Sequence, residues 1–209
     1  MDSAFARRPM GDHDWHSPAY VDDWIARDVT RDGQRRPLLE EMLRVAPFAQ
    51  DADIKVLDVG AGYGLVSEVV LQNFPHAQVT LLDYSAPMLE HARKRLSQEA
   101  ARVTFVLADL TDRAWPTRAG GPFDMVVSGL TIHNLREEAA MRAVYREIRG
   151  LLRQGGVFLD YDLAGIVAGG VQTHLHWLRE AGFTQATTSW SDERSPAAIM
   201  VAHAGEARR

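Results

Sequence analysis

The chain has no cysteine among its 209 residues, which excludes disulfides and metal sites built on thiolates. It has no apolar run near the roughly 18 residues that a membrane-spanning helix needs. Basic residues are not in excess, since 23 Lys and Arg face 28 Asp and Glu for a net charge of −5. A dedicated nucleic-acid binder usually carries the opposite balance, so nucleic acid is not an expected partner. The stretch from Met1 to Met10 carries two arginines with no apolar segment behind them, unlike a secretory signal. These absences point to a cytoplasmic chain without membrane association, long enough for one domain with a sizeable core.

What is present is a change of pattern near Ile54. Residues 1–14 are polar and irregular and are expected to be mobile, whereas 15–47 read as helical. Ser17 suits a helix cap and Pro18 the first turn after it. Pro37 is expected to begin a second helix that runs through Leu43. From Ile54 onward, strands and helices alternate. The strand candidates are Lys55–Val59, Gln78–Asp83, Val103–Ala108, Phe123–Ser128 and Val157–Asp162, with the Val, Leu and Phe content of buried parallel strands. Helices fit at Leu65–Phe74, Ala86–Ser97 and Glu137–Arg153, the last stopped by Gly155-Gly156. A further helix over Val171–Ala181 precedes a terminal hairpin, Thr184–Trp190 and Ala197–His203. Such alternation predicts a mostly parallel sheet of seven strands with helices on both faces and an antiparallel strand from the hairpin.

The most telling segment is Val56-Leu-Asp-Val-Gly-Ala-Gly-Tyr-Gly-Leu65, a strand that ends in a glycine-rich turn and opens a helix. A dinucleotide fingerprint, G-x-G-x-x-G, would place its third glycine at 65, and that residue is Leu65. Asp58 beside the turn would repel a pyrophosphate but suits a ligand that carries positive charge. Asp83 ends the second strand, where an acid can accept from ribose hydroxyls or cap the next helix.

The D-x-G-x-G-x-G pattern of Asp58–Gly64 resembles the first motif of class I S-adenosylmethionine (SAM)-dependent methyltransferases. Tyr84-Ser-Ala-Pro-Met88, Ala108-Asp-Leu110 and Phe123-Asp-Met-Val-Val-Ser-Gly-Leu130 are similar to the later motifs of that family. The resemblance covers about residues 50–204. It implies a Rossmann-like three-layer sandwich over 51–209, with residues 1–50 as a helical lid. It also implies SAM as cofactor, with S-adenosylhomocysteine (SAH) as product. The implied cofactor residues are Asp58, Gly60, Ala61, Gly62, Asp83, Tyr84, Met88, Asp109, Leu110 and Ser128. Asp124 is expected to support its loop instead.

His133, in Thr131-Ile-His-Asn134, is the candidate catalytic base. Relatives often carry histidine here, and its ordinary pKa suits a base at neutral pH; the other reading is a histidine that holds the loop. Many relatives read His-His, where this chain has His133-Asn134. On a strand, Asp160 and Asp162 share one face and Tyr161 takes the other. Asp162 is expected nearest the pocket, either facing an amine acceptor or capping the strand end. Trp15, His16, Tyr20 and Trp24 of the lid are candidates for lining the acceptor pocket or for packing on the sheet. His174 and His176 do not share a helix face, so no metal site is expected. Glu40, Glu41, Arg93, Lys94 and Arg95 read as solvated helix faces. Leu163–Gly170 is short and glycine-rich, suited to a mobile flap. The acceptor site must then come from the lid helices, the His133 loop, or the partner subunit of a homodimer.

The expected function is methyl transfer to oxygen or nitrogen of a small molecule. Two alternatives stand beside it. One is a tRNA or protein methyltransferase, since the run Trp177–Phe183 occurs in relatives of both kinds. The other is a partner subunit that holds SAM or SAH without catalysis. A nicotinamide dehydrogenase fits poorly with the glycine spacing and with Asp58.

Overall fold

A computed structural model describes residues 13–192 and 194–205. Most of the irregular stretch expected over 1–14 lies outside these residues. Seven strands form one sheet in the order β3-β2-β1-β4-β5-β7-β6. They are β1 (Lys55–Val59), β2 (Gln78–Asp83), β3 (Val103–Leu107), β4 (Phe123–Gly129), β5 (Leu152–Asp162), β6 (Gln185–Ser191) and β7 (Ala198–His203). The first five are parallel, and β7 runs antiparallel between β5 and β6. The strand order reverses between β1 and β4, which opens a crevice at their carboxyl ends.

Helices cover both faces. On one lie α1 (Pro18–Asp28), α2 (Asp32–Arg44), α3 (Leu65–Asn73) and α4 (Ala86–Arg95); on the other lie α5 (Trp115–Ala119), α6 (Glu138–Leu151) and α7 (Gly170–Glu180). Alternation along each strand divides the side chains between two cores. Val157, Leu159 and Tyr161 join the α2–α3 side, and Phe158 joins the α6–α7 side. Wholly buried Val56, Leu57, Val126 and Val127 fill the centre, as expected where both faces are covered.

Four local expectations are corrected. Helix α2 starts at Asp32, so Pro37 lies inside it rather than at its start. Proline there forfeits one helical hydrogen bond, and the ion pairs of Asp32, Arg35 and Arg36 offset that loss. Helix α6 stops at Leu151, before the glycine pair, because β5 already begins at Leu152 and pairs with Phe123. Arg95 is not a solvated face: it bonds Asp32 at 2.5 Å, approaches Glu68 at 3.3 Å and stacks on the Tyr63 ring. The 163–170 segment is anchored, since the Gly165 amide donates to the Pro196 carbonyl at 2.8 Å and Ala164–Ile166 forms a short 3-10 turn. Helix α5 was not anticipated; its five residues are too few to show a helical period.

The two N-terminal helices dock through charge rather than grease alone. The Tyr63 hydroxyl lies 2.7 Å from Asp32 Oδ1 and 3.1 Å from Asp28 Oδ2, and it accepts from Arg35 at 3.3 Å. Arg35 in turn forks onto both oxygens of Asp28, and Arg36 pairs with Glu68 on α3. Burial and the flanking acids push the Tyr63 phenol well above its usual range, so it stays a donor. Tyr63→Phe removes that donor from Asp32 and Asp28, which keep only their arginine partners. We expect a loss of about 1–3 kcal/mol in urea unfolding; an unchanged midpoint would show that the network is indifferent to the hydroxyl.

Candidate functional site

A cavity of about 500 Å³ opens at the carboxyl ends of the strands, at the β1–β4 reversal. Its floor is the turn after β1. The Gly60 and Ala61 amides both donate to the Leu82 carbonyl, at 2.8 and 3.0 Å. Gly60 has φ +68, and a Cβ there would sit 2.1 Å from Thr131 Cγ2, so only glycine fits. Thr131 Oγ1 closes the contact by donating to the Gly60 or Gly129 carbonyl, at 3.0 and 3.2 Å. At Gly62 (φ +53), by contrast, a Cβ would meet nothing within 4 Å. That side of the turn faces open cavity.

Asp83, at the end of β2, accepts the Gly62 amide on Oδ2 and the Ser85 amide on Oδ1, both at 2.8 Å. Burial nevertheless pushes its pKa upward, against the pull of those amides. Asp109 after β3 accepts the Thr111 amide and hydroxyl on Oδ1, both at 2.8 Å, and is exposed on the cavity wall. Tyr84, Met88 and Leu110 line the same end. From above, Trp15 and Trp24 close over it, and the Trp15 carbonyl accepts from Ser85 Oγ at 2.5 Å.

Other expected residues lie off the wall. Asp58 is wholly buried behind the turn, where Ser67 Oγ donates to its Oδ2 at 2.6 Å and its Oδ1 has no partner among the described residues. Ser128 points to the α6–α7 side, and Gly129, Leu130 and Thr131 line the cavity after it. Tyr20 packs edge-on against Trp15 and bonds His13. The β5 faces are assigned as alternation requires, but Tyr161, not Asp162, lines the cavity. Asp124 binds the Lys55 amide at 2.8 Å and Arg153 at 2.7 Å, far from the wall.

His133 also turns away. Its backbone N–H donates to Asp162 Oδ2 at 2.8 Å, and its Nδ1 faces Asp162 Oδ1 at 2.5 Å. The Leu163 amide donates to the same Oδ1. Below this pair lies a buried polar cluster. Tyr145 meets His174 Nδ1 at 2.7 Å, and Asp160 is wholly buried beside Ser128, its oxygens without a close hydrogen bond among the described residues. Desolvation, then the charge of Asp162, pushes the Asp160 carboxyl well above the usual carboxylate range. Among the described residues no group of three His, Cys, Asp or Glu is placed to hold a metal.

Sequence reasoning missed Asp28, Arg35, Leu39 and Arg136, all on the cavity wall. Arg35 and Asp28 sit in the lid helices, outside any motif. Arg136 ends the loop after β4 with φ +60, and Leu130 begins that loop with φ +56. Both are conformations that residues with side chains rarely adopt. No sequence signal marks either one.

Residues 56–156 match the family described as methyltransferase domain. The chain is 31% identical over 104 residues to malonyl-[acyl-carrier protein] O-methyltransferase of a Paenibacillus species, covering 49% of this chain and 36% of that one. It is 29% identical over 127 residues to ribosomal RNA small subunit methyltransferase C of Haemophilus influenzae, covering 60% and 36%. It thus spans about a third of the length of these curated relatives. Human N-acetylserotonin methyltransferase, solved with SAM, superposes with a TM-score of 0.69 at 13% identity, over 91% of this chain and 57% of that one. The chain carries a class I SAM-dependent methyltransferase domain. No helix among the described residues is long and apolar enough to cross a membrane.

Burial pushes Asp58 up from 3.8 to about 7, with the Ser67 hydrogen bond opposing and the Asp83 charge adding. The folded chain therefore binds this proton more tightly than the unfolded chain. Its stabilising contribution is complete below about pH 3.8 and is lost as pH rises through about 7. Asp58→Asn cannot titrate. We expect the stability of the variant relative to the parent to improve steadily from pH 4 to 7 and then to level off. A difference that stays flat across that range in urea titrations would place the Asp58 pKa elsewhere.

Proposed function

We propose that this class I SAM-dependent methyltransferase domain transfers a methyl group to an oxygen or nitrogen of a small molecule. The observation that carries the reading is the cavity itself: one space of about 500 Å³, roofed by Trp15 and Trp24 and closed beside α2 by Asp28 and Arg35. It suits a cofactor with a compact acceptor better than an RNA strand, and a net charge of −5 gives no general attraction for nucleic acid. The loop after β4 and the N-terminal helices of the same chain complete the wall, so the reading needs no partner subunit.

The residues fit SAM. The open side of Gly62 admits close approach of a ligand to the backbone. Asp83 and Asp109 offer acceptors for ribose hydroxyls and an adenine amino group, and Met88 and Leu110 offer apolar surface for the ring. Asp58, orphaned behind the turn, favours the positive charge of the ligand. When bound, SAM supplies a methyl group already activated on a sulfonium. The protein then has to align the acceptor, exclude water and keep both partners in one geometry. Trp15, Trp24 and Leu130 exclude water. We assign His133 a positioning role: held by Asp162, it fixes the loop that carries Leu130, Asn134 and Arg136.

The test is transfer of a labelled methyl group from SAM into small-molecule, RNA and protein fractions of a cell extract. Label in the small-molecule fraction is expected; label confined to RNA or protein would overturn the substrate class. Asp83→Ala is expected to weaken SAH binding by about 1.5–3 kcal/mol in calorimetry, through lost hydrogen bonds to a charged acceptor. For His133→Ala we expect kcat to fall severalfold while the pH profile keeps its shape. Loss of a limb near the ordinary histidine pKa of about 6.5 would instead identify His133 as the base.

A further inference from the structure

We infer that the acceptor is a carboxylate on an apolar body, and that Arg136 recognises it. The inference rests on the small-molecule reading above and narrows it. Among the described residues, two arginines reach the cavity wall. Arg35 is committed to Asp28 and Tyr63. The guanidinium of Arg136 has no hydrogen bond or ion pair among the described residues. Its side chain is exposed, and what is well defined is the backbone that presents it. The turn Ile132–Leu135 that precedes it is clamped by Asp162 through the His133 amide and ring, and its own backbone is held at φ +60.

The surroundings select the ligand class. Leu130 and Leu135 of the same loop bring apolar surface to the wall, as Leu39 and Tyr161 do from α2 and β5, and Asn134 adds one amide. The acids on the wall lie elsewhere or are spent: Asp83 and Asp109 stand at the ends of β2 and β3, and Asp28 is forked by Arg35. A cationic acceptor would meet an unpaired like charge here, whereas a carboxylate finds a planar two-pronged donor. The proton account agrees. His133 lies off the wall, and His13 is engaged with Tyr20, so among the described residues the wall offers no unengaged imidazole. A carboxylate needs none, because it is already ionised at neutral pH. One of its oxygens forms a bond to the methyl carbon as the carbon–sulfur bond breaks, and that bond's electron pair stays on sulfur. The products are a methyl ester and the thioether SAH, and no proton changes hands.

The full chain is first titrated with SAH. Failure of SAH to bind would bring down the cofactor reading, and this inference with it. The SAH complex is then titrated calorimetrically with octanoate and 3-phenylpropanoate and with their amides. Each carboxylate is expected to bind about tenfold tighter than its amide, a difference of about 1.4 kcal/mol. Arg136→Gln should reduce the preference to about twofold or less, and Arg136→Lys, which keeps the charge, should restore part of it. Equal affinities within each pair, a preference that survives Arg136→Gln, or no binding of either acid to an SAH-competent protein would overturn the inference. A second readout is the product: label transferred from SAM should be released as methanol by mild base, and base-stable label would sink the carboxylate assignment.

Discussion

The end of the cavity formed by β1 and β2 depends on the grip of Asp83. Its two oxygens take backbone amides from two different segments, Gly62 in the turn after β1 and Ser85 at the cap of α4. The carboxylate is almost fully buried, so solvent cannot compete for it, and each amide would be an orphan donor without it. The strand end, the glycine turn and the helix start are thereby set against one another before any ligand arrives. The same device recurs at other strand ends. Asp109 folds its own turn onto Thr111, and Asp162 gathers His133 and Leu163. Carboxylates at the ends of parallel strands do architectural duty first, and whatever they offer a ligand comes from lone pairs left over.

This explains which parts of the molecule were legible in its sequence. The ends of β1 and β2 are written in runs of Val and Leu broken by Asp and Gly, signals that act over a few residues, and both strands fall where those runs place them. The terminal hairpin and its antiparallel pairing followed from the same local grammar. The network that docks α1 and α2 did not. Arg95 reads as one of three consecutive basic residues on a helix, and its role appears only when the chain brings it to Asp32, 63 positions away. Pro37 carries a local signal that points the wrong way, because tertiary pairs by Arg35 and Arg36 outweigh one lost helical bond. Residues of the cavity wall were legible where they belonged to motifs; Arg35 and Arg136 were not, since an isolated arginine has no spacing to betray it.

His133 shows a subtler limit. A histidine after the fourth strand invites a catalytic reading, and alternation along β5 correctly puts Asp160 and Asp162 on one face. Periodicity cannot say which face looks into the cavity. That is decided by the sheet as a whole, since Tyr161 joins the core under α2 while Asp162 turns toward α6 and α7. Once Asp162 faces that way, it captures the His133 ring as well as its amide. The imidazole becomes part of the scaffold beneath the loop.

The loop after β4 joins this scaffold to the opposite side of the site. The Leu130 amide is tied to the Tyr161 carbonyl, Thr131 to the glycine turn, and Asn134 Nδ2 to the Leu130 carbonyl. So many ties over-determine seven residues, and over-determination lets Leu130 and Arg136 keep backbone conformations that cost about 1–3 kcal/mol each when isolated. Such strain is tolerated only where the surroundings leave no alternative. The opposite wall is different in kind, being built from helices α1 and α2 held by exchangeable ion pairs such as Arg36 with Glu68. A wall tied through its backbone, with Arg136 unpaired among the described residues, therefore faces a wall held by side-chain charges. The two walls differ in what holds them: backbone ties and a buried carboxylate on one side, side-chain ion pairs on the other, so that a change of charge in α1 or α2 disturbs only the second.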